Sequence, residues 1–365
     1  MILFNNFQVE PEELISKEID AATRVIRSGT YILGPELVNF ELMWANYCGV
    51  SRAIGVANGM DAIQIGLQAL GINSGDEVIT TAMTAFATIL AIVRAGAMPV
   101  FADIDPDTGL MSIESAMGCV TKKTKAVLLV HLYGHMHDLT RWKSQCSNRD
   151  IFLIEDCAQS HGARWGGISG GGFGEFGAYS FYPTKNLGAI GDAGAIITAS
   201  EQIESRSRVI LNYGQSERYH HPVQGMNSRL DEIQAAILVE RLHFLDLFIK
   251  RRREIAQSYR ELVKNSLVEN MSLPNSLENH VYHLYVVKSP KRNALAEHLR
   301  ENGIASLFHY PIPAHKQLAN IKFRIDPKGL RHTETHAQIC ISIPCNPQMS
   351  DQEVKYVIDK INEFK

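Results

Sequence analysis

The sequence predicts an α/β protein: a large domain with a largely parallel sheet, followed by a smaller α+β unit. Three observations carry this expectation. Over roughly the first two thirds of the 365 residues, short apolar runs alternate with helical periods, as they do where crossover helices join neighbouring strands. After Asp231 the pattern turns long and helical. At about 100 to 200 residues per domain, a chain of this length favours two domains and needs no disulfide or structural metal to bury a core.

Taken in order, 53–58 (AIGVAN) reads as a strand, DAIQIGLQALGI from Asp61 as a helix, and 76–83 (DEVITTAM) as a strand. A helix follows at FATILAIVRAGA from Phe86, and then strands at MPVFADI, AVLLVHLYG, IFLIEDCA, GAYSFY and AGAIITAS. Gly-containing turns at 71–76 and 96–99 and a loop at 105–109 separate the early elements. The run EIQAAILVERLHFLDLFIKRRREIAQSYRELV, 232–263, is expected as one long helix bridging two domains. The boundary is placed near residue 245, giving units 1–245 and 246–365, with about the first 15 residues packing on the second unit. That unit holds the strand-like HVYHLYVVKS, the helix NALAEHLREN closed by Gly303, and a last helix capped by Ser350.

Lys and Arg number 36 against 39 Asp and Glu, a net charge of −3, so the chain lacks the basic field that nucleic acid or an anionic membrane would select. Cys48, Cys119, Cys146, Cys157, Cys340 and Cys345 show no paired spacing and suit reduced thiols in a cytoplasmic protein. The N-terminus lacks the pattern of a signal peptide, and Gly, Thr, Arg or His breaks every apolar run short of a membrane span.

The chemistry concentrates in 151–195, where one buried strand ends in Glu155-Asp156 and a second leads into Ser180-Phe181-Tyr182-Pro183-Thr184-Lys185. The carboxyl edge of an open α/β sheet is where ligands sit, so the acid and the lysine are expected to converge there. A Schiff-base lysine and an aspartate beside a pyridinium nitrogen are the two groups a pyridoxal phosphate enzyme most needs. His131, His135 and His137 invite a zinc reading, but no cysteine lies near them in sequence. The glycine cluster 166–177 leads into a strand rather than a helix, so it is a loop and not a dinucleotide fingerprint. No metal site is expected.

Together with Gly34-Pro35, Asn58-Gly59-Met60-Asp61-Ala62, Thr84-Ala85-Phe86-Ala87-Thr88, HLYGH, EDCAQSHGA, SFYPTKNLGAIGDAGA, GMNSRLDEIQAAIL and HYPIPAH, this segment resembles the DegT/DnrJ/EryC1/StrS sugar aminotransferases along nearly the whole chain. The resemblance implies the fold type I architecture of pyridoxal phosphate enzymes, with a mostly parallel mixed sheet flanked by helices and a small C-terminal α+β domain. By position it implies Lys185 as Schiff-base lysine and proton carrier, and Asp156 as partner of the ring nitrogen. It likewise places Gln159 at the cofactor's phenolic oxygen, with a plain structural hydrogen bond as the alternative. Gly59, Met60 and Ser180 would take the phosphate, the helix N-terminus favouring an anion. The family usually has threonine where Met60 stands, so a hydroxyl contact is missing there. Phe86 would stack on the pyridine ring unless it is an ordinary core residue.

Asn227 and Arg229 match residues that the family supplies from a neighbouring subunit, the first to the phosphate and the second toward the substrate, which implies a homodimer with shared active sites. A salt bridge from Arg229 to Asp231 or Glu232 is the alternative. His309 and Tyr310 resemble a sugar-side wall faced by Tyr182. The resemblance implies transfer of an amino group from L-glutamate to a nucleotide-linked keto-sugar. Relatives that dehydrate sugars carry histidine in place of Lys185. The stretch 211–238 is most similar to enzymes that aminate C3 of dTDP-linked 3-keto-6-deoxyhexoses, with C4 amination, a UDP-linked 3-keto uronate and a non-catalytic sugar sensor as alternatives.

Overall fold

The structure, a computed structural model, describes residues 1–272 and 276–365. Its strands in chain order are β1 (Arg52–Val56), β2 (Glu77–Thr81), β3 (Met98–Ala102), β4 (Thr124–Val130), β5 (Phe152–Asp156), β6 (Arg164–Trp165), β7 (Ile168–Ser169), β8 (Phe176–Ser180), β9 (Gly194–Thr198), β10 (Glu269–Asn270), β11 (Tyr285–Lys288), β12 (Arg324–Ile325) and β13 (Cys340–Ile343). The helices are α1 (Glu12–Ser28), α2 (Pro35–Cys48), α3 (Gly59–Ala69), α4 (Phe86–Arg94), α5 (Ile113–Gly118), α6 (Leu139–Ser147), α7 (Glu201–Leu211), α8 (Glu232–Leu242), α9 (Leu245–Leu262), α10 (Arg292–Glu301), α11 (Arg331–Ile339) and α12 (Asp351–Glu363).

Eight strands form one sheet in the order β1-β9-β8-β5-β4-β2-β3-β12. From β12 to β8 every pairing is parallel, and β9 and β1 close that end antiparallel. Because successive side chains point to opposite faces, each central strand feeds two cores. Val127 and Leu129 of β4, with Tyr179 of β8, pack toward Phe40 and Trp44 of α2 and Leu238 of α8. Ala126 and Leu128 of β4, with Phe176 of β8, pack toward Ile65 of α3 and Ile92 of α4. The approach of α3 to the sheet is close: a Cβ on Gly66 would fall 2.3 Å from the Phe176 ring. The smaller sheet, β10-β11-β13, is antiparallel and shares a core with α9, α10 and α12 through Tyr259, Leu295, Leu299 and Val357.

The C-terminal part also returns to the large sheet, where β12 pairs with β3. At the other end of the chain, Ile2 bridges to Ile304, and the Ala305 amide donates to the Ile2 carbonyl at 3.0 Å. Gly303 takes a φ of +71° after α10, and Ser350 caps α12 in a reciprocal arrangement with Glu353.

The expected single helix over 232–263 is in fact two, α8 and α9, and neither glycine nor proline separates them. The Phe244 amide bonds the Arg241 carbonyl, three residues back, at 3.0 Å, and this tighter rung turns the axis. Phe244 then sits under the Lys17 ammonium, 5.2 Å from its ring centre. The mostly parallel large sheet flanked by helices and the small antiparallel C-terminal sheet match the expected fold class. No helix among the described residues is long and apolar enough to cross a membrane.

Candidate active site

The carboxyl ends of β1, β2, β5 and β8 share one edge of the large sheet, since β1 is antiparallel to β9 and β9 to β8. β5 ends at Asp156, which is buried. Its Oδ2 accepts from Thr88 Oγ1 at 2.8 Å and its Oδ1 from the Ala158 amide at 3.1 Å. Burial pushes the carboxyl above its usual range, against the pull of the Ala158 amide, the Thr88 hydroxyl, Lys185 and His131.

Lys185 follows β8 in the loop that leads back to β9. The Phe181 amide bonds the Ala193 carbonyl, and the Ala189 amide bonds the Phe181 carbonyl at 2.7 Å, so the loop is pinned at its neck. Asn186 anchors it to Val281 and His283. Burial lowers the Lys185 ammonium to about 8, while the nearby Asp156 carboxylate pulls the other way. The two groups thus sense each other, yet among the described residues no ion pair joins them. The sequence expectation that the strand ends bring this acid and this lysine together is met.

The first turn of α3 offers amides that could hold an anion. Asn58 caps it by accepting from the Asp61 amide at 2.9 Å, which leaves the Gly59 and Met60 amides at positions where a helix offers no carbonyl. A Cβ on Gly59 would lie 2.6 Å from Ser180 Cβ, so only glycine lets this turn close against β8 and bring its amides beside the Ser180 hydroxyl. Helix-end amides, a hydroxyl, a carboxylate and a lysine of lowered pKa form a donor set that fits pyridoxal phosphate.

Gln159 is held by the chain rather than left loose. Its Oε1 accepts the Tyr133 amide at 2.6 Å, and its Nε2 donates to Tyr310 Oη at 3.2 Å. Tyr310 is raised to about 12 by burial and by Asp156, with the Gln159 bond opposing. Its oxygen accepts from Gln159, and its own O–H proton is not used in that bond. His309 Nδ1 meets Ser342 Oγ at 2.8 Å, and burial followed by Lys185 holds its imidazole down to about 4. Phe86 is half-buried at the start of α4, packed near Phe101 and Ala314.

Other residues singled out from the sequence lie apart. Tyr182 is 52% exposed and makes no hydrogen bond through its hydroxyl and no ring contact with His309 or Tyr310 among the described residues. Asn227 is exposed and pairs along the backbone with Asn212. Arg229 bonds Asn212 Oδ1 at 3.2 Å and lies over the Tyr213 ring, and it does not pair with Asp231 or Glu232. Glu232 is occupied instead by the amides of Gly34, Glu36 and Leu37 at the start of α2.

Sequence reasoning passed over Thr88, Asn58 and Glu155 as individual residues, although all three stood in the quoted motifs. Glu155 could have been found from strand alternation: its side chain points away from that of Asp156. It takes the amides of Gly171, Phe173 and Gly174, which gives the glycine cluster its fold. His131 Nε2 meets the same carboxylate at 2.9 Å. His131, Glu155 and Cys157 cluster within 4.8 Å of one another, a grouping that excludes His135 and His137.

Comparisons with known proteins point to one family. A family model described as the DegT/DnrJ/EryC1/StrS aminotransferase family matches residues 12–362. The chain is 42% identical over 353 residues to a dTDP-3-amino-3,6-dideoxy-alpha-D-galactopyranose transaminase of Aneurinibacillus thermoaerophilus, covering 95% of each. It is 41% identical over 359 residues to a pleiotropic regulatory protein of Geobacillus stearothermophilus, covering 98% of this chain and 95% of that one. The crystal structure of S. venezuelae DesV in complex with ketimine intermediate matches with a TM-score of 0.95 at 37% identity, over 99% of this chain and 98% of that one.

Proposed function

This chain belongs to the DegT/DnrJ/EryC1/StrS aminotransferase family, and from that premise we propose that it moves the amino group of L-glutamate to C3 of a dTDP-linked 3-keto-6-deoxyhexose, giving the 3-amino-3,6-dideoxy sugar. That it is a pyridoxal-phosphate-dependent aminotransferase of sugar nucleotides follows from the family and its closely similar members. Glutamate as donor, C3 as the aminated carbon and the 6-deoxy sugar are the proposal. The observation that carries the site is the buried Asp156 at the end of β5 and the half-buried Lys185 in the loop after β8, each shifting the other's titration.

Bound pyridoxal phosphate supplies an electron sink conjugated to the substrate carbon and a carbonyl that exchanges with amines. The protein's residues do the rest. Asp156 holds a proton on the ring nitrogen, which strengthens the sink. Lys185 Nζ takes the proton from one carbon and returns it to the other. Gly59 and Met60 amides with Ser180 Oγ bind the phosphate. Gln159, already fixed at both ends of its amide, keeps one N–H for the phenolic oxygen. Phe86 covers one face of the ring.

In this reading Asn227 and Arg229 act in the site of a second copy, which makes the working unit a homodimer. Arg229, with the neutral Asn212 as its only hydrogen-bond partner among the described residues, is a guanidinium with donors suited to a carboxylate. The name of the Aneurinibacillus relative, a dTDP-3-amino-3,6-dideoxy-alpha-D-galactopyranose transaminase, supports C3. Product analysis by NMR after incubation with glutamate and a panel of keto-sugar nucleotides tests the assignment. Turnover of a 4-keto sugar or a UDP-3-keto uronate, without the dTDP-3-keto-6-deoxy substrate, overturns the substrate while leaving the transaminase in place. Inertness toward every keto-sugar would favour the regulatory reading suggested by the Geobacillus relative's name.

A further inference from the structure

The turn from β2 into α4 carries two buried threonines, Thr84 and Thr88, that the proposed chemistry does not use. Thr88 Oγ1 donates to Asp156 Oδ2 at 2.8 Å, and Thr84 Oγ1 lies 3.0 Å from Thr88 Oγ1. An ionised carboxylate has no proton to offer, so the single hydroxyl proton of Thr88 is committed to Asp156. The bond between the threonines then has one polarity, with Thr84 donating. The donors run from Thr84 to Thr88 to Asp156, and the Ala158 amide holds the other carboxylate oxygen. Both oxygens are pinned, and each keeps a lone pair.

We propose that Thr88, backed by Thr84, is a positioning residue that keeps Asp156 ionised and fixes the rotation of its carboxylate toward the cofactor's ring nitrogen. The inference rests on the reading of Asp156 given above. Burial works against the charged carboxylate, and the Thr88 hydroxyl is one of four groups that oppose it. The other titratable or charged groups that face Asp156 among the described residues are Lys185 from the loop after β8, His131 beyond β4, Tyr310, and the neighbouring Cys157. A change at Thr88 leaves all four in place. Losing a hydroxyl donor to a charged acceptor raises a carboxyl by about 1 to 2 pH units. A more basic Asp156 draws the shared proton off the ring nitrogen and weakens the electron sink.

The test is the holoenzyme reconstituted with pyridoxal phosphate labelled with ¹⁵N in the ring, whose NMR shift reports protonation of that atom. In Thr88→Val the signal moves toward its unprotonated position and kcat falls about tenfold or more at unchanged KM. Thr88→Ser restores both, and Thr84→Val gives a smaller displacement in the same direction. A folded Thr88→Val with the wild-type ring-nitrogen signal overturns the proposal. If the valine variant does not fold, Thr88→Ala carries the same expectation and the same refutation. Asp156→Asn separates the two claims: if it leaves the ring-nitrogen signal unchanged, the reading of Asp156 fails, whereas a displacement with Asn but none at position 88 sinks only the threonine inference.

Discussion

Lys185 and Asp156 illustrate how one environment sets two chemistries. Burial disfavours the charged form of both, lowering the lysine and raising the carboxyl, while each partly rescues the other. The lysine's folded pKa of about 8 lies well below its ordinary 10.5, so the neutral, nucleophilic amine is abundant at mildly alkaline pH. The rate at which cofactor-free protein acquires the near-visible absorption of bound pyridoxal phosphate is expected to climb with pH and level off above about 8. A climb that continues past pH 10 would place the lysine in water. The sign for stability follows from the same shift: between pH 8 and 10.5 the unfolded lysine binds more protons than the folded one, so this group makes the cofactor-free protein more stable as pH rises through that window. Lys185→Ala abolishes the band. Asp156→Asn keeps cofactor bound through the phosphate contacts but loses about 100-fold or more in turnover, which steady-state kinetics on the holoenzyme would measure.

Among the elements, α3 shows what a strand and helix pattern conveys and what it leaves hidden. Its start after a buried strand was legible, because glycine and small polar residues precede a helical period, and the anion-binding role proposed for it rests on that same pattern. Its distance from β8 was not, since periodicity says which face is apolar and nothing about how near the facing strand lies. Gly59 and Gly66 record that distance: a Cβ would fall 2.6 Å from Ser180 Cβ at the first and 2.3 Å from the Phe176 ring at the second. Gly66→Ala is therefore expected to cost about 1 to 3 kcal/mol in denaturant unfolding with cofactor affinity little changed. Gly59→Ala moves the helix end off Ser180 and weakens cofactor binding instead, measured as a raised dissociation constant. Equal effects of the two on stability and affinity would deny that the first turn is the phosphate site. The break between α8 and α9 was hidden for a related reason: it uses no breaker residue, only one shortened hydrogen bond at Phe244. Thr88 escaped notice because its partner, Asp156, is 68 residues away in sequence, and no local pattern encodes such a meeting.

At the scale of the whole molecule, an exposed apolar surface supports the proposed second copy of the chain. Ile19 and Ile26 of α1, Val38 and Leu42 of α2, and Tyr31, Ile32 and Leu33 between the two helices are each at least 42% exposed. Such a run of exposed apolar side chains is the kind of surface a partner covers. Glu232 ties the connecting loop down by accepting the Gly34 amide, and Asp231 bridges to Ile32, so this surface is continuous with the segment that carries Asn227 and Arg229. A two-fold interface there would present both residues to the partner. If each site takes its lysine from one subunit and its arginine from the other, Lys185→Ala and Arg229→Ala are each inactive alone. A heterodimer of the two then contains one site with both defects and one with neither. Random reassortment of equal amounts makes half the dimers mixed, and about a quarter of wild-type activity should return. Activity that fails to reappear after verified subunit exchange would place Arg229 in its own subunit's site. A fully active monomer in sedimentation velocity would go further and remove the shared site altogether.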